Sequence, residues 1–319
     1  MACLYPKLAY DTGRINSDTG KRIITFRAPK DYLSAGRVVE MAVPCGKCAG
    51  CLKDKRKDWC NRMALELFAH DGVGSFVTLT YRDPAPPCLV KSDVQKFFKR
   101  LRNVNRDFGV GLPSQLRYFA CGEYGKKHHR PHYHAVVFGV DMLHDDAWQS
   151  YLCGVADGRP RYSSRILEHI WPYGFVVVGD CNYHSIRYVS KYISKQYQQI
   201  CKDDVPPFTL KSIGLGRSLF VDVRRKSRQY HYRLKSLFFD RYEDGSIVLP
   251  SVSGYSPVKL PSCLDIYAER FAPSLFADVK ARRLDFVHHT INDVAPSVRR
   301  DFIDYQNRTE LLKGELDNE

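Results

Sequence analysis

The chain has 319 residues, enough for a full catalytic core with one or two smaller additions. Its net charge of +14 comes with 20 tyrosines and 17 phenylalanines, a composition suited to phosphate polymers and unpaired bases. No apolar run reaches the roughly eighteen residues of a membrane helix, and no GxxxxGK[ST] phosphate loop occurs, so neither a membrane partner nor an ATP-driven helicase is expected.

The start, MACLYPKLAYDTG, has no basic cap ahead of an apolar stretch, so no secretory signal is expected and the protein should act in the cytoplasm. The 11 cysteines are odd in number, and four cluster closely, which favours reduced thiols with some on metal. The first forty or so residues show no clear period. CGKCAGC at 45–51 follows, then the basic run Lys53, Lys55, Arg56 and Lys57. A helix is predicted from near Trp59, with Met63, Ala64, Leu67 and Phe68 at helical spacing. Residues 75–81 (SFVTLTY) read as a strand that the prolines at 84, 86 and 87 end.

Ser92, with Gln95 three residues on, is expected to cap a helix whose buried stripe is Val94, Phe97, Phe98, Leu101 and Val104. Residues 116–121 and 132–138 are strands joined by the polar segment GEYGKKHHRP, a long hairpin. A short helix over 145–152, a strand over 174–178 and a helix over 183–200 follow. Strands alternate with helices, yet one strand pair is a hairpin, so an α+β fold with an antiparallel sheet and packed helices fits best. Past Pro206-Pro207 the pattern weakens, and residues 217–235 set seven lysines and arginines against the single acid Asp222. The predicted organisation is an N-terminal arm with the cysteine cluster (1–58), a catalytic core (59–205) and a basic C-terminal region (206–319).

Three constellations carry chemistry. In a strand, His132 and His134 share a face while Tyr133 points away, so the imidazoles form a ligand pair for a divalent ion or simply line a polar face. Glu123, in phase with Phe119 and Cys121 on the partner strand, is a hard oxygen that would suit the pair to Mg²⁺ or Mn²⁺; its plain alternative is a turn carboxylate beside Gly122 and Gly125. In YVSKYISK, Tyr188, Lys191, Tyr192 and Lys195 fall on one helical stripe opposite Ile186, Val189, Ile193 and Ile200. Tyrosines as nucleophiles with lysines to favour the phenolate fit that stripe, against a surface helix with solvated lysines. Cys45, Cys48 and Cys51 suit structural zinc with Cys60 or His70 as fourth ligand, or are free thiols.

TLTY, then GEYG…RPHYH, then YVSKYISK follow the order of the three motifs in HUH-superfamily replication initiators. The chain resembles those of gokushovirus-type Microviridae, single-stranded DNA phages, and PCGKCAGC and PPFTLKSIGLG are also similar to that group. The resemblance implies a five-stranded antiparallel sheet of ferredoxin-like or RRM-like type, a metal at His132 and His134, and nucleophiles at Tyr188 and Tyr192. It further implies nicking of origin DNA as a single strand through a 5′-phosphotyrosine, strand transfer and circle closure, in the cytoplasm of a bacterial host that supplies helicase and polymerase. A non-catalytic single-strand-binding module and an HUH transposase or relaxase are the rival readings.

Overall fold

The computed structural model describes residues 3–15, 22–27, 39–125, 128–156, 158–195, 205–218, 246–251 and 254–259, with a few single positions beyond. The chain divides into two compact units, Met1–Lys55 with Phe286–Glu319, and Arg56–Asp285. In the first, where the sequence shows no period, β1 (Lys7–Ile15), β2 (Arg22–Thr25) and β3 (Val39–Val43) form an antiparallel sheet in the order β2-β1-β3.

Helix α1 (Ala49–Ala69) begins well before the expected Trp59. Its early turns hold Lys53, Asp54, Lys55, Arg56 and Lys57, mostly good helix formers that leave no apolar stripe to read. β4 (Gly74–Tyr81) follows, then α2 (Lys91–Phe108). Ser92 does not cap α2. The cap residue is Val90, without a side-chain bond of its own; its N–H donates instead to Tyr133 Oη at 2.8 Å, so a buried tyrosine from the sheet satisfies one orphan donor.

β5 (Arg117–Tyr124) and β6 (Pro131–Phe138) form the long hairpin. The helix expected over 145–152 is instead one 3₁₀ turn at Asp146–Trp148 followed by β7 (Ser150–Ala156). β8 (Arg159–Ser164), α3 (Arg165–Ile170), β9 (Gly174–Asp180), α4 (Tyr183–Lys195) and β10 (Phe208–Lys211) follow. β11 (Ser246–Ser251) and β12 (Gly254–Lys259) pair as a hairpin. Among the described residues no helix is long and apolar enough to cross a membrane.

The fold is α+β, but its main sheet has seven antiparallel strands rather than five, in the order β10-β5-β6-β4-β9-β8-β7. The added strands carry weak signals: β7 is exposed along almost its whole length, β8 reads RPRYSS, and β10 has four residues. One face of the sheet buries Leu79, Tyr133, Ala135 and Val137 against Val94, Phe97, Phe98 and Leu101 of α2. On the other, Phe119, Cys121, Val136 and Phe138 meet Met63 of α1 and Ile186, Val189 and Ile193 of α4. The period of two along β6 thus sends its even-numbered side chains toward α4.

SIGLG, after β10, is held by a buried ion pair. Glu66 is fully buried, and Arg117 Nε donates to its Oε1 at 2.9 Å. The same guanidinium donates to the carbonyls of Ile213 (2.8 Å) and Gly214 (2.6 Å). Gly216 N–H and Ser218 Oγ donate back to Glu66 at 2.6 and 2.5 Å. Gly216 has φ +88, and a Cβ there would come within 3.3 Å of the Arg62 carbonyl, so the loop needs glycine at this point.

Candidate active site

Register builds the site. In the β5–β6 ladder Glu123 lies opposite His132 and Cys121 opposite His134, and in the β4–β6 ladder Thr78 lies opposite His134. Glu123, His132 and His134 therefore converge on the α4 face with ligand atoms within 4.8 Å of one another. His132 Nε2 is 2.9 Å and His134 Nε2 3.0 Å from the same oxygen, Glu123 Oε1. Burial pushes the Glu123 carboxyl up, but hydrogen bonds from His132 and His134 outweigh it and hold the group well below the usual carboxylate range.

Backbone and side-chain partners orient both imidazoles. His132 Nδ1 is 3.1 Å from the Arg130 carbonyl, which can only accept, so Nδ1 carries a proton and Nε2 is turned toward the carboxylate. His134 Nδ1 is likewise held, by Thr78 Oγ1 at 3.0 Å. Adjacent donors of an octahedral ion with bonds of about 2.1 Å lie about 3 Å apart, and the observed separations of 2.9 and 3.0 Å fit that geometry. Two imidazole nitrogens and a carboxylate could hold a divalent cation.

α4 lays its tyrosines over this group. Tyr188 Oη is 3.4 Å from His134 Nε2 and 3.5 Å from Glu123 Oε1. The Tyr188 ring meets His134 edge-on at 5.1 Å, Tyr192 stacks on His134 at 5.8 Å, and the two phenol rings are 5.4 Å apart.

The segment that carries this geometry is also the one that matches known proteins. A family model described as a replication-associated protein of the ORF2 type matches residues 74–197. The chain is 26% identical to replication-associated protein ORF2 of Spiroplasma virus 4 over 96% of this chain and 92% of that one. It is 32% identical to replication-associated protein ORF4 of Chlamydia phage 1, over 51% of this chain and 40% of the relative. With replication-associated protein VP4 of Bdellovibrio phage phiMH2K it shares 31% identity, over 54% of this chain and 55% of that one. The chain is thus similar to microvirus replication-associated proteins. No solved structure matches it.

The two tyrosines are not equivalent. Tyr188 is 41% exposed and Tyr192 only 4%. On a helical wheel Tyr192 falls about 60° from Val189, at the border of the aliphatic face, so the core takes it in. Burial pushes both phenols up; Glu123's charge adds to this at Tyr188, and at Tyr192 a hydrogen bond to Glu123 drives the phenol far above its ordinary range. A cation on the same carboxylate would reverse the sign of that field.

Lys191 is half-buried on α4, whereas Lys195 is its last residue and its side chain lies outside the described residues. Ile200 and residues 219–235 of the basic segment also lie outside them. The cysteine set departs from expectation. The sulfurs that converge belong to Cys3, Cys45, Cys48 and Cys51, while Cys60 packs with Met63, Phe119 and Ile186 in the core of the second unit. His70, the other expected fourth ligand, has Nε2 at 3.5 Å from Glu66.

Sequence reasoning gave no role to three residues of the site. Thr78 holds His134, the Arg130 carbonyl sets the His132 tautomer, and Phe76 stacks on His134 at 5.6 Å. The signal for Thr78 and Phe76 was present in the alternation of 75–81, which puts both on the histidine face once the strands pair. A cleft of about 730 Å³ opens beside His132, lined by Pro86, Pro87, His128, His129 and Arg130, with Arg130 paired to Asp83.

Proposed function

We propose that this protein initiates rolling-circle replication of a single-stranded DNA phage as an HUH-type endonuclease, cutting one DNA strand at the origin with Tyr188 and later rejoining it. The observation that carries the reading is the Tyr188 hydroxyl lying 3.4 and 3.5 Å from ligand atoms of His134 and Glu123. Glu123, His132 and His134 would hold a divalent ion. Such an ion supplies a Lewis acid for a phosphoryl oxygen.

The chain's own residues do the rest. Thr78 and the Arg130 carbonyl keep both imidazoles in ligand orientation. The exposed Tyr188 presents its oxygen to a phosphodiester beside the triad. The phenolic oxygen bonds to phosphorus, the P–O3′ bond breaks, the phenolic proton passes to water, and the leaving 3′-oxygen takes up a proton to become a 3′-hydroxyl. The 5′ end stays on the tyrosine, so the phosphodiester energy is stored and no ATP site is needed for resealing. Lys191 and Lys195 on the same helix favour the phenolate and hold phosphate. The 730 Å³ cleft with its histidines and Arg130 would take a nucleotide next to the scissile bond. Host helicase and polymerase would extend the free 3′ end.

The test is cleavage of single-stranded origin DNA with Mn²⁺, Mg²⁺ or EDTA, read as a protein–DNA adduct on a denaturing gel. The expected result is an adduct with either metal, none in EDTA and none for Tyr188→Phe. Tight DNA binding without any cut under all conditions would make the protein a binding module instead.

A further inference from the structure

We propose that Cys3, Cys45, Cys48 and Cys51 bind one structural zinc ion that fastens the three-stranded sheet of the first unit to the start of α1. Their sulfurs all lie within 4.8 Å of one another. Cys45 and Cys51 are 3.9 Å apart, and so are Cys3 and Cys48. A tetrahedral zinc with bonds of about 2.3 Å has sulfur–sulfur edges of about 3.8 Å, and these two pairs are opposite edges of one tetrahedron. A disulfide would need about 2.05 Å.

The backbone is arranged for thiolates. Leu4 N–H donates to Cys48 Sγ at 3.3 Å and Cys45 N–H to Cys3 Sγ at 3.1 Å. Cys48 and Lys47 N–H donate to Cys45 Sγ at 3.4 and 3.5 Å, and Cys51 N–H to Cys48 Sγ at 3.5 Å. Amide donors aimed at sulfur spread the negative charge of a metal thiolate and fix ligand directions. Gly46, with φ +76, makes the tight turn that returns the chain from Cys45 to Cys48. α1 opens directly after Cys48 with no acidic residue in its first turn, so the net negative charge of a four-thiolate zinc centre meets the positive end of the helix.

The need for a staple is visible in the same unit. Among the described residues of this unit Ala9 is fully buried, while Leu8, Ile23, Ile24 and Phe26 are 40–58% exposed, so a metal cross-link would add materially to the stability of this small sheet. Cys3 precedes β1, Cys45 follows β3, and Cys48 and Cys51 flank the first residues of α1, so one ion ties every element but β2. Four soft sulfurs without oxygen or nitrogen select zinc over Mg²⁺ or Mn²⁺. This centre is therefore chemically distinct from the Glu123–His132–His134 group.

Metal analysis of the full-length protein, purified with reductant, tests the assignment. About one zinc per chain should survive mild chelation and be released by a mercurial that titrates thiols. Cys3→Ser should lose it, whereas Cys60→Ser and a His132→Ala/His134→Ala double variant should keep it. Should Cys3→Ser prove insoluble, Co²⁺ exchanged into the wild-type protein decides. Strong visible absorption with thiolate charge transfer supports a tetrahedral four-sulfur site, and weak octahedral absorption overturns it. Absence of zinc from folded, reduced protein overturns it equally, as does loss of zinc in Cys60→Ser with retention in Cys3→Ser.

Discussion

Among the described residues of the second unit two glutamates are buried, and they are surrounded in different ways. Glu66 is fully buried and meets a guanidinium, a backbone N–H, a hydroxyl and an imidazole. Its positive partner is built into the chain. Glu123, 7% exposed, meets two imidazoles and two phenols. Both carboxyls are held below their ordinary range against burial, Glu66 at about 2. The contrast separates architecture from chemistry: a carboxylate paired with an arginine locks a loop, and one ringed by two imidazoles and two phenols is placed for ligation.

The largest expected effect lies at Glu123's neighbours. His134→Ala or Tyr188→Phe should lower adduct formation by at least about 10³-fold, several kcal/mol of barrier. Single-strand binding should stay within a few-fold, because it rests on the basic surface. Measured adduct rates near wild type in either variant would place the chemistry elsewhere.

At Glu66 the effect should appear in stability. Glu66→Ala leaves Arg117 buried without its partner and should cost about 3–5 kcal/mol, read in urea unfolding. The acid limb sharpens the comparison. A carboxyl lowered from 4.5 to about 2 contributes stability that is fully present above its unfolded value and is lost as pH falls through the folded one. Wild type should therefore lose stability between about pH 4.5 and 2, and Glu66→Gln should flatten that part of the curve. An acid limb of the same steepness in both proteins would remove Glu66 as its source.

Ligand linkage should separate the two sites at a smaller scale. Mn²⁺ at about a hundred times its Kd should add roughly 2.7 kcal/mol to the folded state. The rise in Tm should vanish in Glu123→Gln and persist in Glu66→Gln. A shift that survives in Glu123→Gln would mean that Mn²⁺ binds elsewhere.

What the sequence made legible follows from range. The β5–β6 hairpin, its alternation and the shared face of His132 and His134 are local properties of a period-two pattern, and so was the placement of Glu123 in phase with Cys121. The Glu66–Arg117 lock joins residues 51 apart, with Gly216 and Ser218 much further along, and no pattern announces it. Cys3 lies 42 residues from Cys45, so the spacing that exposed three cysteines led to Cys60 rather than to the sulfur the fold supplies. The depth of Tyr192 was hidden for another reason. A stripe drawn at 100° per residue assigns a side, but the width of the buried face depends on what packs against it, here Phe119, Cys121 and Val136 from the sheet.

That depth gives the smallest and most discriminating prediction, which concerns Tyr192. Ending a rolling circle needs a second cut while the first 5′ end is still on the protein, so a second nucleophile must reach the same phosphate position. Tyr192 is one helical turn from Tyr188, stacked on His134 at 5.8 Å and hydrogen-bonded to Glu123, but at 4% exposure it is covered in the state described. On the proposed function Tyr188 would attack first, and Tyr192 would act only after a shift that exposes it. Tyr192→Phe keeps the stacked ring and removes only the hydroxyl. Its first adduct should form within about threefold of wild type, under about 0.7 kcal/mol, while closed circles should not appear. If Tyr192 merely positions Glu123 through its hydroxyl, the variant should instead slow adduct and circle formation by the same factor, with circles still made. The ratio of circles to adducts from a monomeric preparation distinguishes the two: a ratio that collapses supports alternation of the tyrosines, and a ratio equal to wild type rules it out.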